Sequence, residues 1–333
     1  MRKFSVILCS VAVFAGTAVF AQTKPAFEVA TVKPSPPMDM VKVAAAVQAG
    51  GKMPIGANIE YPRAEYRYLD LRSLLSYAYG VKPYQISGPE WMATTRFDIV
   101  GKMPEGSKKE DAPKMLQALL EERFKLVTHR ESAEHPVLAL VVGKGGPKLK
   151  ASAEKPVAID ESAPLKPGEA KMDGPEGPVR VKVDTAAGSS IIDMGARGKM
   201  TYRMNPATQS FHIDFSMVTM TGFADMVTQL FQQMGGTGGR QVVDMTGLQG
   251  NYDASVDLSI AEVIAMARAA GADIPAGAPG GAGQGGSVPM ASEPSGGGSL
   301  TDAVQAMGLK LESRKAAVDQ LIVDHVEKTP TEN

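Results

Sequence analysis

Apolar and polar positions alternate, then fall into helical rhythm, then alternate again, and this order predicts an α+β fold. FEVATVKP places Phe27 and Val29 in strand phase before prolines end the run, so a first strand stopping at Lys33 is expected. Residues 37–60 show little periodicity and are expected to be irregular. YRYLDLRSLLSYAYG then gives a strand at 66–69 leading into a helix, with Asp70 as N-cap, Leu71, Leu74, Leu75 and Ala78 on one face, and Gly80 as the stop. Short strands at 85–87 and 97–103 flank GPEWMATT, and a helix near 111–123 carries Met115, Leu116, Leu119 and Leu120 on one side. FKLVTHRESAEHPVLALVV reads as a strand pair whose second member, 137–142, is apolar enough to be central in a sheet.

The same order returns in the second half. FHIDFSMVTM alternates, Thr221 caps a helix bearing Phe223, Met226, Val227, Leu230 and Phe231, and strands at 241–244 and 252–258 flank TGLQGN. Ser299 and Asp302 form a capping box for a helix stopped by Gly308, and the closing stretch reads as a second strand pair. Residues 85–103 (QISGPEWMATTRFDIVGKM) and 241–259 (QVVDMTGLQGNYDASVDLS) both pass through a glycine turn to an aromatic–Asp pair. The expectation is two related β-α-β-β-α-β-β-like domains, each a small mixed or antiparallel sheet packed on two helices. Residues 22–150 form the first, 151–200 a Pro/Gly-rich connector, and 201–333 the second. An insertion in the second holds a helix with a Ser259/Glu262 capping box and a Gly-rich tether at 271–298. Duplication and convergence both account for such an order.

Composition adds an address. Arg2 and Lys3 precede an unbroken apolar run, with Val19 and Ala21 at the minus-three and minus-one places, so residues 1–21 read as a signal peptide cleaved after Ala21. The mature chain is then periplasmic or extracellular. Cys9, the only cysteine, lies inside that leader, which excludes disulfides, thiolate metal sites and cysteine nucleophiles from the mature chain. Without Arg2 and Lys3 the 35 basic residues fall to 33 against 36 acidic, a net charge of −3. That balance gives no electrostatic case for nucleic acid or anionic lipid as partner, and no later stretch is apolar for long enough to span a bilayer.

FEVATVKPS, LLSYAYGVKPYQISGPEWMATTRFDIVGK, MLQALLEERFKLVTHRE, LALVVGKGGPKLK, VVDMTGLQGNYD and LIVDHVEKTPTEN together resemble a soil-associated bacterial family of uncharacterised secreted proteins. The resemblance runs in order through nearly the whole mature chain and implies export. Some members resemble extracytoplasmic portions attached to the membrane metallopeptidases of antibiotic-sensing receptors; this sequence lacks HExxH, so that activity does not carry over. Each half is also similar to the short N-terminal domain of secretins and TonB-dependent receptors, in the second half through TMTGFADMVTQLF, RQVVDMTGLQGNYDASVDLS and SLTDAVQAMGLKLESRKAAVDQLIVD. The resemblance implies small β-α-β-β-α-β modules that bind other envelope proteins, although the Gly-rich insertion and the added final strands depart from that pattern.

Candidate chemistry is sparse. The four histidines are His129 and His135, flanking the expected hairpin turn, His212, and His325 beside Asp324; no two share the i, i+4 spacing of helical metal motifs. No G-x-S-x-G occurs, and KGGPK at 144–148 lacks phosphate-loop spacing and reads as a turn. Asp244, Asp253 and its first-half counterpart Asp98 read as strand-end acids bonded to nearby backbone. Tyr79, Tyr84 and Trp91, the only tryptophan, are the candidate binding residues; exposed they suit a partner or glycan, buried they anchor the GPEW turn over the first core. No catalytic residue, metal ligand or cofactor is assigned. The expected function is a non-enzymatic module of the cell envelope that binds a protein or secreted ligand by adding a strand to a sheet edge or docking a helix face. The rival is a hydrolase-like enzyme whose site at the domain junction gathers a histidine with two or more carboxylates. A sensor passing a signal to a membrane peptidase is the third reading.

Overall fold

The computed structural model describes residues 25–184, 186–205, 210–233, 240–259 and 300–331. The leader at 1–21, the helix expected after Ser259, the tether at 271–298 and Ser299 lie outside the described residues. The first half runs β1 (Val29–Pro34), α1 (Met40–Ala49), β2 (Gly51–Lys52), β3 (Gly56–Glu60), β4 (Arg63–Asp70), α2 (Leu71–Tyr79), β5 (Ile86–Ser87), β6 (Arg96–Lys102), α3 (Ala112–Phe124) and β7 (Val127–Val142). It continues through β8 (Lys150–Ala151), β9 (Glu169–Gly174), β10 (Gly177–Asp184), β11 (Ser189–Asp193) and β12 (Lys199–Asn205). The second half adds β13 (Ser210–Val218), α4 (Met220–Gln233), β14 (Val242–Asp244), β15 (Tyr252–Ser259), α5 (Leu300–Ala306) and β16 (Leu309–His325).

The strongest sequence signals form as expected. Asp70 accepts the Ser73 amide at 2.8 Å to start α2, Gly80 ends it in the left-handed region, and Leu71, Leu74, Leu75 and Ala78 are buried. In α3 the expected stripe of Met115, Leu116, Leu119 and Leu120 is buried. Two expectations fail locally. Residues 37–60 are not irregular: Asp39 caps α1 through the Val41 and Lys42 amides, and β2 and β3 follow. The cap of α4 is Thr219, whose hydroxyl accepts the Gly222 amide at 3.0 Å, while Thr221 turns to the Asp244 carboxylate.

The fold is α+β, with a large sheet and a smaller mixed one. Twelve strands form the large sheet, ordered β1-β6-β4-β3-β9-β10-β11-β12-β13-β15-β8, with β2 alongside β9; all pairings are antiparallel except β2 with β9. Residues 151–200, expected as a connector, supply β9, β10 and β11 to its middle. The second sheet is β14-β7-β16-β5. The two expected terminal hairpins are absent from it. β7 is one 16-residue strand and β16 one 17-residue strand, and they pair antiparallel along their whole length, from Leu309 opposite Val142 to His325 opposite Val127. β5 joins β16 in parallel near Leu321, and β14 joins β7 in parallel near Ala139. Each half therefore lends part of a long strand, β7 or β16, to the other.

Two cores follow from this exchange. The first gathers Tyr66, Phe97 and Ile99 of the large sheet, the apolar faces of α2 and α3, Leu126, and Leu321 and Val323 of β16. The second gathers Ile213, Phe215 and Val256, Phe223 and Val227 of α4, Val304 of α5, Leu309, and Leu140 of β7. Edge-to-face pairs anchor both, Phe97 with Phe124 and Phe215 with Phe223.

The aromatic–Asp pairs mark a device used in both halves. β4 bulges against β6 between Tyr66 and Leu69, and β13 bulges against β15 between Phe215 and Val218. Inside the bulges Tyr68 and Met217 take φ of 56° and 58°, a region non-glycine residues seldom occupy. The Tyr68 amide donates to Asp98 at 2.9 Å and the Met217 amide to Asp253 at 3.0 Å. A carboxylate opposite each bulge thus holds the turned amide, and the strand is redirected into the helix that follows.

Candidate functional site

Strand phase and helix phase bring two tyrosines together beneath the large sheet. Ala64 and Tyr66 take the inward positions of β4 and are fully buried, and α2 turns Tyr77 toward the same side. Their rings meet edge to face with centroids 5.8 Å apart. β9 brings Asp173 beside them, immediately before the hairpin that crosses Pro175 and Glu176 into β10. The short turn leading into α3 supplies Lys109, and Pro113 and Ile59 complete the wall. These groups enclose a cavity of about 110 Å³.

The polar groups around that cavity are nearly all engaged. The Asp173 carboxylate accepts the Ile59 amide at 2.6 Å and faces the Lys109 ammonium at 2.6 Å, and Lys109 also pairs with Glu161. Tyr77 donates its hydroxyl to the Asp173 carbonyl at 2.7 Å. The exception is the Tyr66 hydroxyl, which is buried and has no hydrogen-bond partner. Burial pushes this phenol far above its ordinary range, and the neighbouring Tyr77 and Asp173 push the same way, so it stays protonated and keeps its O–H as a donor. Burial works against the Lys109 ammonium, but the bonds to Asp173 and Glu161 outweigh it and hold the pKa above its usual value. Leaving a buried hydroxyl unpaired costs about 1–3 kcal/mol, which makes this wall an acceptor-seeking site.

The residues singled out from sequence lie elsewhere and do not converge. Tyr79 and Trp91 are half-buried against the first core; the Tyr79 hydroxyl accepts from Thr128 at 3.3 Å and its carbonyl accepts from Arg130 at 2.9 Å. Tyr84 reaches across to the second half and donates its hydroxyl to Asp225 of α4 at 2.5 Å. Lys82 pairs with the other oxygen of Asp225 and with Glu176 at 3.4 Å, and Arg197 closes on Glu176 at 3.2 Å. Burial, then the Asp225 bond, raises the Tyr84 pKa. In the structure Tyr79 and Trp91 pack against the first core and Tyr84 joins the contact between halves. Tyr66 and Tyr77 carried only a weak signal, two tyrosines in buried phase whose polar tips required partners.

A histidine between two carboxylates does occur, on the outer face of the large sheet and not at the junction. His212 meets Asp257 through Nδ1 at 2.7 Å and Asp214 through Nε2 at 3.0 Å, and Arg203 holds Asp214 at 3.0 Å. The bond to Asp257 raises its pKa most; burial opposes it, and the charge and bond of Asp214 add to the rise, so the pKa lies above its ordinary value. With both ring nitrogens engaged, this imidazole is a cross-strand bridge with no nitrogen left to take a substrate proton. The junction cavity of about 230 Å³ is lined by residues that include Tyr84, His135, Arg240 and Gln241 and, among the described residues, by no acidic side chain. His129 and His135 lie on the single strand β7 with no turn between them, and His129 pairs with Asp324 at 2.8 Å. Among the described residues, no group of three or more His, Cys, Asp or Glu is placed to hold a metal. The KGGPK loop folds as a turn, with the amides of Gly146 and Lys148 bonded to the carbonyls of Gly143 and Met307.

A family model described as protein of unknown function (DUF3738) matches residues 72–326. The chain belongs to the DUF3738 family. The match opens inside α2 and closes just after β16, so the DUF3738 region contains Tyr77, Lys109 and Asp173, while Tyr66 arrives from the strand before it. No curated protein and no solved structure matches the chain. No helix among the described residues of this DUF3738 protein is long and apolar enough to cross a membrane.

Proposed function

We propose that this protein is an exported, non-enzymatic binding module of the cell envelope, and that the Tyr66 cavity is where it holds its ligand or a group of its partner. The single observation that carries the reading is the Tyr66 hydroxyl, fully buried and unpaired, on a residue that lines a cavity whose other polar groups are engaged. Native proteins rarely bury a donor without a partner, and a binding site is one place where the partner arrives from outside. Supporting the address are the leader with Arg2, Lys3 and the apolar run ending at Ala21, and the resemblance to secreted proteins. Supporting a protein-binding role is the order β4-α2-β5-β6-α3-β7, repeated as β13-α4-β14-β15-α5-β16. It is the order of the envelope-binding modules of secretins and TonB-dependent receptors, and the matching bulges held by Asp98 and Asp253 favour two related units.

The test has two arms. N-terminal sequencing of the exported chain should begin at Gln22. Ligand-observed NMR with a panel of small polar fragments should yield compounds that bind the wild-type chain and lose affinity in the Tyr66→Phe variant. A panel in which no compound depends on Tyr66 would refute the binding site.

A further inference from the structure

We propose that the cavity beneath β4 and β9 selects a neutral carboxamide on a short apolar stem, an inference that rests on the binding reading above. Size sets the first limit. A volume of about 110 Å³ is the share of roughly three to four water molecules, enough for a group of about five heavy atoms. The walls set the second, since Ile59, Pro113 and the two tyrosine rings present apolar surface to the stem.

Charge and hydrogen-bond inventory decide the head group. Lys109 is the ammonium of the cavity, and it is shared between two carboxylates, Asp173 and Glu161. The local sum is one negative charge, so a carboxylate or phosphate ligand meets repulsion. An ammonium ligand meets attraction but brings only donors, and it leaves the Tyr66 O–H without an acceptor. A carboxamide answers both demands. Its carbonyl oxygen accepts from Tyr66 and from the one N–H that Lys109 has left after serving its two carboxylates. Its N–H groups are donors for the lone pairs of Asp173 that Ile59 and Lys109 leave free.

Three isosteric probes separate the head groups: propionamide, propionate and propylammonium. Each is titrated into the full mature chain while the backbone amides of Ile59, Gly174 and Gly177 are followed by NMR. Propionamide should shift these signals saturably and bind at least tenfold tighter than either charged isostere. Tyr66→Phe should weaken propionamide at least tenfold while leaving the unliganded chain as stable as wild type or more so, because it removes an unpaired hydroxyl. N-acetylglutamine N-methylamide distinguishes the source: tighter binding than propionamide assigns the site to a polypeptide side chain, and weaker binding assigns it to a free small molecule. Tighter binding of propionate or propylammonium overturns the carboxamide assignment while leaving a binding site in place. If none of the three perturbs the cavity, and Tyr66→Phe destabilises the chain, the space holds structural water and both readings fall.

Discussion

Removing the Asp98 carboxylate should release the first bulge. Asp98 accepts the Tyr68 amide at 2.9 Å and the Ser35 hydroxyl at 2.5 Å, and it lies 3.7 Å from Arg67. The Ser35 hydroxyl is half-buried and can turn to water, and the exposed share of the Arg67 pair contributes little. The main loss is the charged bond to an amide held at φ 56°, a conformation that itself costs about 1–2 kcal/mol. Hydrogen bonds to charged groups are worth about 1.5–3 kcal/mol, so Asp98→Ala should cost about 1.5–3 kcal/mol and Asp98→Asn, which keeps a carbonyl acceptor, about 1 kcal/mol. Tyr68→Gly should be nearly neutral: relief of the backbone is offset by chain entropy and by the loss of the Arg96 stack, 5.0 Å from the ring. Urea denaturation followed by Trp91 fluorescence reads these differences directly, because Trp91 packs against the first core. An Asp98→Ala midpoint within about 0.5 kcal/mol of wild type, or an Asn variant as costly as Ala, would refute the argument that the carboxylate holds the bulge.

Three further outcomes follow from the same geometry. His212 has a folded pKa above its ordinary value, so its contribution is complete below about pH 6.5 and is lost as pH rises through the folded pKa. Stability of wild type relative to His212→Gln, measured from pH 5 to pH 9, should therefore fall toward zero at the alkaline end, by less than about 1 kcal/mol since the group is partly exposed and solvent screens its pairs. Asp225→Ala strands Lys82 and Tyr84 at the contact between halves and should cost about 2–4 kcal/mol, with a Lys82–Asp225 coupling of at least about 1 kcal/mol in a double-mutant cycle. Leu140→Ala in the second core should cost about 2–5 kcal/mol, and the loss should appear equally in Trp91 fluorescence, which reports the first core, and in far-UV circular dichroism.

What could be read from the sequence was decided by burial. α2 and α3 were legible because Leu71, Leu74, Leu116 and Leu120 lie wholly in the core and keep helical phase. α1 was not: its interior is Ala-rich, Val41 is exposed and, among its described side chains, only Val47 is buried, so no stripe marks it. RESAEHP looked like a turn because it is polar and carries a proline. In the structure it spans the gap between the two cores, where a two-stranded ribbon has solvent on much of its surface. Residues 169–193 escaped notice for a related reason. β9 to β11 are short, and only Ala170 among them is fully buried, so charged residues such as Lys171, Arg180 and Lys182 dominate the pattern. The candidate site shares that obstacle, since Tyr77 finds its acceptor 96 residues away at Asp173, inside the stretch read as a connector.

The exchange of β7 and β16 also sets an order of events for the growing chain. Leu321 and Val323 belong to the first core but are made only after most of the second half, and His129 waits 195 residues for Asp324. The first half cannot close its core as it emerges, and the second cannot close without Leu140 from the first. Formation of both must pass through a long loop closure, which is slow relative to local hairpins and helices. A nascent chain halted before residue 309 lacks the strand that contributes to both cores, so synthesis of β16 is the step that lets their apolar faces close against association.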